Sequence, residues 1–198
     1  MKNFLGNRAH MDYERAAALY ERCVDATRDF IHGLGASDVV VGLSGGIDSA
    51  LVCAMAVDAF GPQHVHAVLI PGPYSTEHSV ADAKASAEAL GIDYQIVKIK
   101  DIYESFKDSL EDPCGKDNFA GLTSQNIQAR IRMTVLMAFA NAKGWLLLNT
   151  SNKTEFYVGY STLYGDLSGV FGLIGGLFKH QVYGLALWRN KMSQTSVR

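Results

Sequence analysis

The segment with the clearest chemical character runs from Ser44 to Ser49 and reads Ser-Gly-Gly-Ile-Asp-Ser. It follows a valine-rich apolar run and precedes a run rich in alanine, valine and methionine, which predicts a turn from a buried strand into a helix. Glycines let backbone N–H groups approach an anion, and a helix N-terminus adds a positive dipole. The two serine hydroxyls can donate to phosphate oxygens. The segment therefore predicts a phosphate-binding loop.

A carboxylate inside this loop needs a separate explanation, because Asp48 would repel a bare phosphate. A bridging Mg²⁺ ion is the natural reason for an acidic residue at such a position. The alternative is an ordinary glycine-rich turn in which Asp48 and Ser49 only cap the following helix. The Walker pattern is excluded, since no Gly-Lys-Ser/Thr follows the glycines.

Two more polar clusters, residues 71–75 and 149–155, also follow predicted strands. Ligands of open parallel α/β sheets bind beyond the carboxyl ends of the strands. We therefore expect both clusters to lie at the same sheet edge as the loop.

Apolar periodicity predicts the elements that position these clusters. Strands are expected over 39–43, 64–70, 94–99 and 145–148, and helices over 13–31, from the loop to about 60, 79–90, 102–110 and 125–143. A loop is expected over 112–121, with Thr123 capping the helix that follows. Strand and helix alternate, which predicts an α/β fold with a doubly wound parallel sheet flanked by helices, in one domain over 1–198.

Composition excludes several other classes of protein. The 18 Lys and Arg against 20 Asp and Glu give a net charge of −2, which argues against a nucleic-acid partner bound by bulk charge. The three cysteines have no CxxC spacing, which favours a reducing, cytoplasmic compartment. Residues 1–10 do not resemble a signal peptide, and no apolar run is long enough for a membrane helix. The apolar, glycine-broken run 167–178 is expected to need cover from a partner or from further chain.

The hexapeptide resembles the PP-loop of the ATP pyrophosphatases, which split ATP between its α and β phosphates. Several later segments resemble NAD synthetase in order and spacing, whereas GMP synthetase, tRNA lysidine synthetase and argininosuccinate synthetase share only the loop. These segments cover residues 73–79, 125–133, 149–155, 159–166 and 178–183. The resemblance to ammonia-dependent NAD synthetase runs from about residue 13 to Asn190 and implies an adenine nucleotide alpha-hydrolase-like fold.

The resemblance also implies a reaction. ATP adenylates the nicotinate carboxylate of deamido-NAD, pyrophosphate leaves, and ammonia attacks the adenylate to give NAD and AMP. Mg²⁺ is the implied cofactor, and ATP is a co-substrate. The family resemblance further implies a homodimer. Because few residues precede the loop, ammonia is expected to be used directly or to come from a separate glutaminase.

Site residues are carried over where the motifs match. Asp48 and Glu155 match the Mg²⁺ carboxylates, Asp48 and Lys179 the catalytic groups, and Arg130 and Asp166 the substrate-binding residues. ATP-binding positions are Gly42, Leu43, Ser44, Gly45, Gly46, Ile47, Asp48, Ser49, Thr150 and Lys179.

Several of these residues also have a simpler interpretation. Glu155 could be an exposed residue at a helix start, and Thr150 a helix cap. Lys179 could be a solvated charge, Arg130 the partner of a salt bridge at the core edge, and Asp166 a turn cap.

Other polar residues are given structural roles. Arg132 lies two positions from Arg130, so it points to a different helix face and is expected to be structural. His64 and His66 share one strand face, for which a polar surface is favoured over a metal site. Cys53 is expected in the core and Cys114 in an exposed loop without a nucleophilic role.

The chain departs from the family pattern in two places. Gly176 stands where an acidic residue is usual, and His180 where threonine is usual. The family usually continues for several dozen residues beyond Arg198, so the C-terminal part of the family domain is expected to be missing. This leaves three alternatives: an ATP-binding remnant without turnover, another PP-loop amidotransferase or tRNA-modifying enzyme, and a fragment without function.

Overall fold

The computed structural model describes residues 12–195 and is built around a parallel five-stranded sheet. Residues 1–10, for which the sequence predicts no signal peptide, lie outside the described residues. The strand order is β3-β2-β1-β4-β5. The strands are β1 Val39–Gly42, β2 Val65–Leu69, β3 Asp93–Ile96, β4 Leu146–Asn149 and β5 Phe171–Gly172. The helices are α1 Tyr13–Gly33, α2 Ile47–Phe60, α3 Glu77–Leu90, α4 Lys100–Cys114, α5 Leu122–Lys143, α6 Lys153–Val158 and α7 Lys179–Thr195.

Strand β1 is buried on both faces, as its unbroken apolar sequence predicts. Val39 and Val41 face the core that α1, α2, α3 and α7 form on one side of the sheet. Val40 lies on the other side, in a cluster with Ala140 of α5. Alternate side chains of a strand point to opposite faces, so one valine run anchors both layers. The expected doubly wound α/β fold is confirmed.

The strand order places a switch point beside β1. The chain leaves β1 through α2 towards β2 and then β3, and returns through α4 and α5 to β4 on the other side of β1. Connections that diverge in this way open a crevice at the carboxyl ends of the two strands. The loop after β1 and the polar cluster after β4 therefore share one edge.

Some expected boundaries were wrong. The third strand ends at Ile96, although Val97 still donates to the Leu69 carbonyl at 2.9 Å. Helix α4 includes Pro113, because the proline sits in the last turn just before Gly115 ends the helix. Helix α5 begins at Leu122, so Thr123 lies inside the helix and does not cap it.

The glycine-rich run 167–178 is covered in part by the chain itself, although Val170 stays 43% exposed. Leu173, Ile174 and Leu177 are 0–4% exposed and belong to the core shared with α1, α2 and α7. Gly169 explains how the run approaches the sheet. Its φ is +101°, and a Cβ there would lie 2.8 Å from the backbone nitrogen of Asn149.

Within residues 12–195, no helix is both long and apolar enough to cross a bilayer. Cys53 is fully buried in α2, as expected, and burial raises the pKa of its thiol to about 12. Cys114 is exposed, but at the end of α4 and not in a loop.

Candidate active site

The loop between β1 and α2 is held by its own two serines. The Ser44 backbone N–H donates to Ser49 Oγ at 3.2 Å, and the two hydroxyl oxygens are 3.0 Å apart. Ser49 Oγ also donates to the Gly46 carbonyl at 3.1 Å. In the described part of the chain no side chain caps α2, so its first N–H groups stay available for an anion.

Gly45 is required by the backbone at its position. Its φ is +84°, and a Cβ would lie 2.2 Å from the carbonyl oxygen of Ser79 in α3. The loop thus lies directly against α3, where another residue would force it away. Gly46, at φ −84°, has no such constraint.

Asp48 lies in the first turn of α2, and both of its carboxylate oxygens have partners. Lys179 Nζ, from the start of α7, forms an ion pair with Oδ2. Asn152 Nδ2 donates to Oδ1 at 3.1 Å. The Asp48 and Lys179 side chains are 18% and 37% exposed, so the ion pair is partly open to solvent and does not lie in the core.

Asn152 connects Asp48 to Glu155. The side-chain oxygen of Asn152 accepts from the Glu155 backbone N–H at 3.1 Å. The backbone N–H of Asn152 donates to Glu155 Oε2 at 3.0 Å. This capping box starts α6 and fixes the Glu155 carboxylate. Sequence reasoning missed Asn152, although its Asn-x-x-Glu spacing is the capping signal that could have found it.

The donor set fits a magnesium ion. Asp48 and Glu155 supply hard carboxylate oxygens, and Asn152 bonds to both residues. No group of three metal-ligating side chains occurs within residues 12–195. Mg²⁺ needs only one or two carboxylates where substrate phosphates and water complete its coordination, so a phosphate-dependent site suits these residues.

A cavity of about 380 Å³ opens at the switch point between β1 and β4. Gly42 lines it from the end of β1, Leu43 and Ser44 line it from the loop that follows, and Thr150 lines it from just beyond β4. Asp48, Glu155 and Lys179 form a separate bonded group, connected to this cavity through the loop that carries both Ser44 and Asp48.

A second cavity of about 840 Å³ lies beside the first. Aromatic side chains line it, including Tyr74, Tyr103 and Tyr160. Asp166 and Arg132 line both cavities and therefore belong to their common wall.

The two expected substrate residues are placed differently. Asp166 lines both cavities, but its carboxylate also accepts from the Thr162 backbone N–H at 2.6 Å, so the turn-cap interpretation also applies. Arg130 is exposed and donates from Nε to the Leu163 carbonyl at 3.2 Å. It lines neither of the two cavities and forms no ion pair in the described part of the chain, so the salt-bridge alternative was wrong.

The histidines at the other end of the strands share a carboxylate. His64 Nδ1 and His66 Nε2 lie 3.3 Å and 3.2 Å from Asp38 Oδ1. His66 stacks on Trp145 with ring centroids 3.7 Å apart. These contacts support the expected polar surface.

Comparison with known proteins assigns the chain to a family. The family model described as NAD synthase matches residues 19–195. The chain belongs to the NAD synthase family. Its PP-loop, its polar cluster after β4 and Lys179 all fall inside the matched range.

Relatives of this NAD synthase family member include both ammonia- and glutamine-dependent enzymes. A glutamine-dependent NAD(+) synthetase of Synechocystis is 44% identical over 87% of this chain, which spans 31% of that protein. The glutamine-dependent enzyme of Acinetobacter baumannii, solved with ADP, matches with TM-score 0.88 and 43% identity over 91% of this chain and 34% of its own. The NH3-dependent enzyme of Campylobacter jejuni matches with TM-score 0.82 and 35% identity over 91% of this chain and 75% of its own. This chain thus spans about a third of the glutamine-dependent enzymes.

Proposed function

We propose that this chain amidates deamido-NAD to NAD with ammonia and ATP, through an adenylated intermediate, releasing AMP and pyrophosphate. The observation that carries the proposal is the arrangement around Asp48. One carboxylate at the phosphate-binding loop is bonded to Lys179 from α7 and, through Asn152, to Glu155. With a divalent cation held by the two carboxylates, such a group would help to neutralise the charge of a polyphosphate, which is the main requirement of adenylyl transfer.

The loop would bind the ATP phosphates. The N–H groups at the start of α2 point a positive dipole at the loop, and the Ser44 and Ser49 hydroxyls can turn from each other to a phosphate oxygen. Thr150 lies across the first cavity at the end of β4 and is proposed to contact the nucleotide. The ADP in the A. baumannii relative supports an adenine nucleotide as ligand.

Asp48 and Glu155 would hold Mg²⁺, which supplies positive charge to the phosphates of ATP. Lys179 neutralises Asp48 when no ligand is bound. Once another cation neutralises Asp48, the Lys179 ammonium is free to bind phosphate oxygens. We therefore assign Asp48 and Lys179 the catalytic roles.

The second cavity would receive deamido-NAD. Its aromatic lining suits a pyridine or adenine ring, and Asp166 from the common wall can accept a hydrogen bond from a ribose hydroxyl. Arg130 lies outside this cavity. Its proposed contact with deamido-NAD would therefore involve a part of the substrate that extends out of the cavity. Ammonia is proposed to come from solution or from a separate glutaminase.

A homodimer in the cytoplasm is part of the proposal. Apolar side chains on α6 and the loop after it are 58–75% exposed: Tyr157, Val158, Tyr160, Leu163 and Tyr164. Exposed apolar patches of this kind mark protein interfaces. The free thiols of Cys23, Cys53 and Cys114 suit a reducing compartment.

The test is product analysis with ATP, Mg²⁺, deamido-NAD and ammonium, using Asp48→Asn as the inactive control. The proposal predicts NAD, AMP and pyrophosphate in equal amounts from the unmodified chain. Binding of ATP without any product would favour a nucleotide-binding protein without turnover. Turnover with a tRNA in place of deamido-NAD would favour another PP-loop enzyme.

A further inference from the structure

Arg132 makes a structural contact, as expected, and it also reaches both cavities. It projects from α5, and its Nε donates to the carbonyl oxygen of Ile70, just beyond the end of β2, at 3.1 Å. Arg132 lines both cavities, so it stands where the proposed nucleotide and dinucleotide sites meet.

The guanidinium of Arg132 has no acidic partner within residues 12–195, and the bond to Ile70 is its one hydrogen bond there. It is also partly buried, and that burial lowers its pKa. A buried charge without a counter-ion destabilises a fold, so such residues usually pair with a carboxylate or a bound anion.

The loop after β2 holds the guanidinium in place. A Cβ at Gly72 would lie 2.8 Å from Arg132 Nη2 and 2.8 Å from Gln128 Oε1. The chain therefore passes close to the guanidinium, and a side chain at this position would require the ends of Arg132 and Gln128 to move. Because Nε is bonded to Ile70, the two terminal nitrogens remain available, and they present the paired donors that suit phosphate and carboxylate oxygens.

None of the other cations in the described part of the chain lines both cavities. Lys179 is paired with Asp48, and Arg130 lines neither cavity. Lys107 and Lys116 line only the second cavity. Arg132 is thus the cation that the two cavities share.

We propose that Arg132 binds an anionic phosphate or carboxylate oxygen of substrate at the junction of the two cavities. This inference rests on the proposed function, in which a carboxylate must approach the α-phosphate of ATP. Both groups are negative, so a fixed cation between them lowers their repulsion in the ground state and in the transition state. The oxygen can come from ATP or from deamido-NAD, and binding measurements distinguish these two sources.

The test compares Arg132→Gln and Arg132→Lys with Arg22→Gln, a matched loss of charge on an exposed face of α1. Titration calorimetry measures Kd for Mg·ATP and for deamido-NAD separately, and thermal melting measures stability. Arg132→Gln is expected to raise one or both Kd values by roughly 10- to 100-fold, the range for hydrogen bonds to charged groups. Arg132→Lys is expected to recover only part of this loss, since lysine cannot form two parallel bonds.

Melting separates this role from a structural one. Removing an unpaired, partly buried charge is expected to leave the melting temperature of Arg132→Gln unchanged or higher. A lower melting temperature with both Kd values unchanged would overturn the inference and leave Arg132 as a support for Ile70. Weaker ATP binding alone assigns the oxygen to the nucleotide, and weaker deamido-NAD binding alone assigns it to the dinucleotide. If the unmodified chain binds neither ligand, the proposed function fails and this inference fails with it.

Discussion

The side-chain amide of Asn152 donates to Asp48 Oδ1 at 3.1 Å, across 104 positions of sequence. The same side chain accepts from the backbone of Glu155 at 3.1 Å. The Asn152 backbone N–H donates to Glu155 Oε2 at 3.0 Å, so one neutral residue, 1% exposed, contacts both carboxylates. The metal-binding geometry proposed for this site depends on that contact.

Replacing Asn152 should separate helix capping from carboxylate positioning. Asn152→Ser keeps an oxygen that can cap α6 but removes the donor to Asp48, whereas Asn152→Ala removes both. We expect only Asn152→Ala to lose about 1 kcal/mol of folding free energy through the cap. Both variants should weaken Mn²⁺ binding in the presence of ATP, measured by electron paramagnetic resonance. Normal Mn²⁺ affinity in Asn152→Ser would show that the bond to Asp48 does not position the carboxylates.

Lys179→Gln should change metal and nucleotide binding in opposite directions. Without the ammonium, Asp48 loses its cationic partner and no longer has to exchange it for a metal ion, so nucleotide-free protein should bind Mg²⁺ more tightly. ATP should bind more weakly, because a phosphate-binding cation is lost. Calorimetric titrations with Mg²⁺ alone and with Mg·ATP check both signs. A parallel loss of both affinities would contradict the exchange of partners proposed for Lys179.

Gly45→Ala should disrupt the phosphate-binding loop. The new Cβ would lie 2.2 Å from the Ser79 carbonyl oxygen, at a φ of +84° that alanine adopts unfavourably. We expect a loss of roughly 1–3 kcal/mol of stability together with a large loss of ATP affinity. Gly33→Ala, where no atom lies within 4 Å and φ is ordinary, is the matched control. If Gly45→Ala binds ATP and melts like this control, the loop does not depend on its contact with α3.

Asp38 should make stability depend on acid pH. Burial acts to raise its pKa, but hydrogen bonds from Ser37, His66 and His64 outweigh burial, so the pKa of Asp38 lies below its ordinary value. A carboxyl with a lowered pKa stabilises the fold above its unfolded pKa of about 3.9, and this contribution disappears as pH falls through the lower folded value.

Thermal melts of the unmodified chain and of Asp38→Asn at several pH values check this dependence. The difference between their melting temperatures should be full near pH 7 and should shrink below about pH 4. A difference that stays constant down to pH 2 would show that the Asp38 carboxylate adds nothing through its charge.

Sequence reasoning worked best where local pattern and chemistry coincide. The valine run of β1 and the loop that follows are both read from adjacent residues, and the structure places them as expected. Asn152 was not recognised, because its role arises from a contact with a residue far away in the chain. Strand β5 was missed for a similar reason. Two residues carry no periodicity, and only pairing with Leu148 and Asn149 makes them a strand.

The most direct test of the proposed reaction follows the fate of nitrogen. The chain is incubated with Mg·ATP, deamido-NAD and ¹⁵N-labelled ammonium, and the products are quantified by mass spectrometry, with Asp48→Asn as the control. We predict ¹⁵N in the carboxamide of NAD, one AMP for each NAD, and no product from Asp48→Asn. AMP released without labelled NAD, or labelled NAD formed equally well by Asp48→Asn, would contradict a synthetase that works through the Asp48 site.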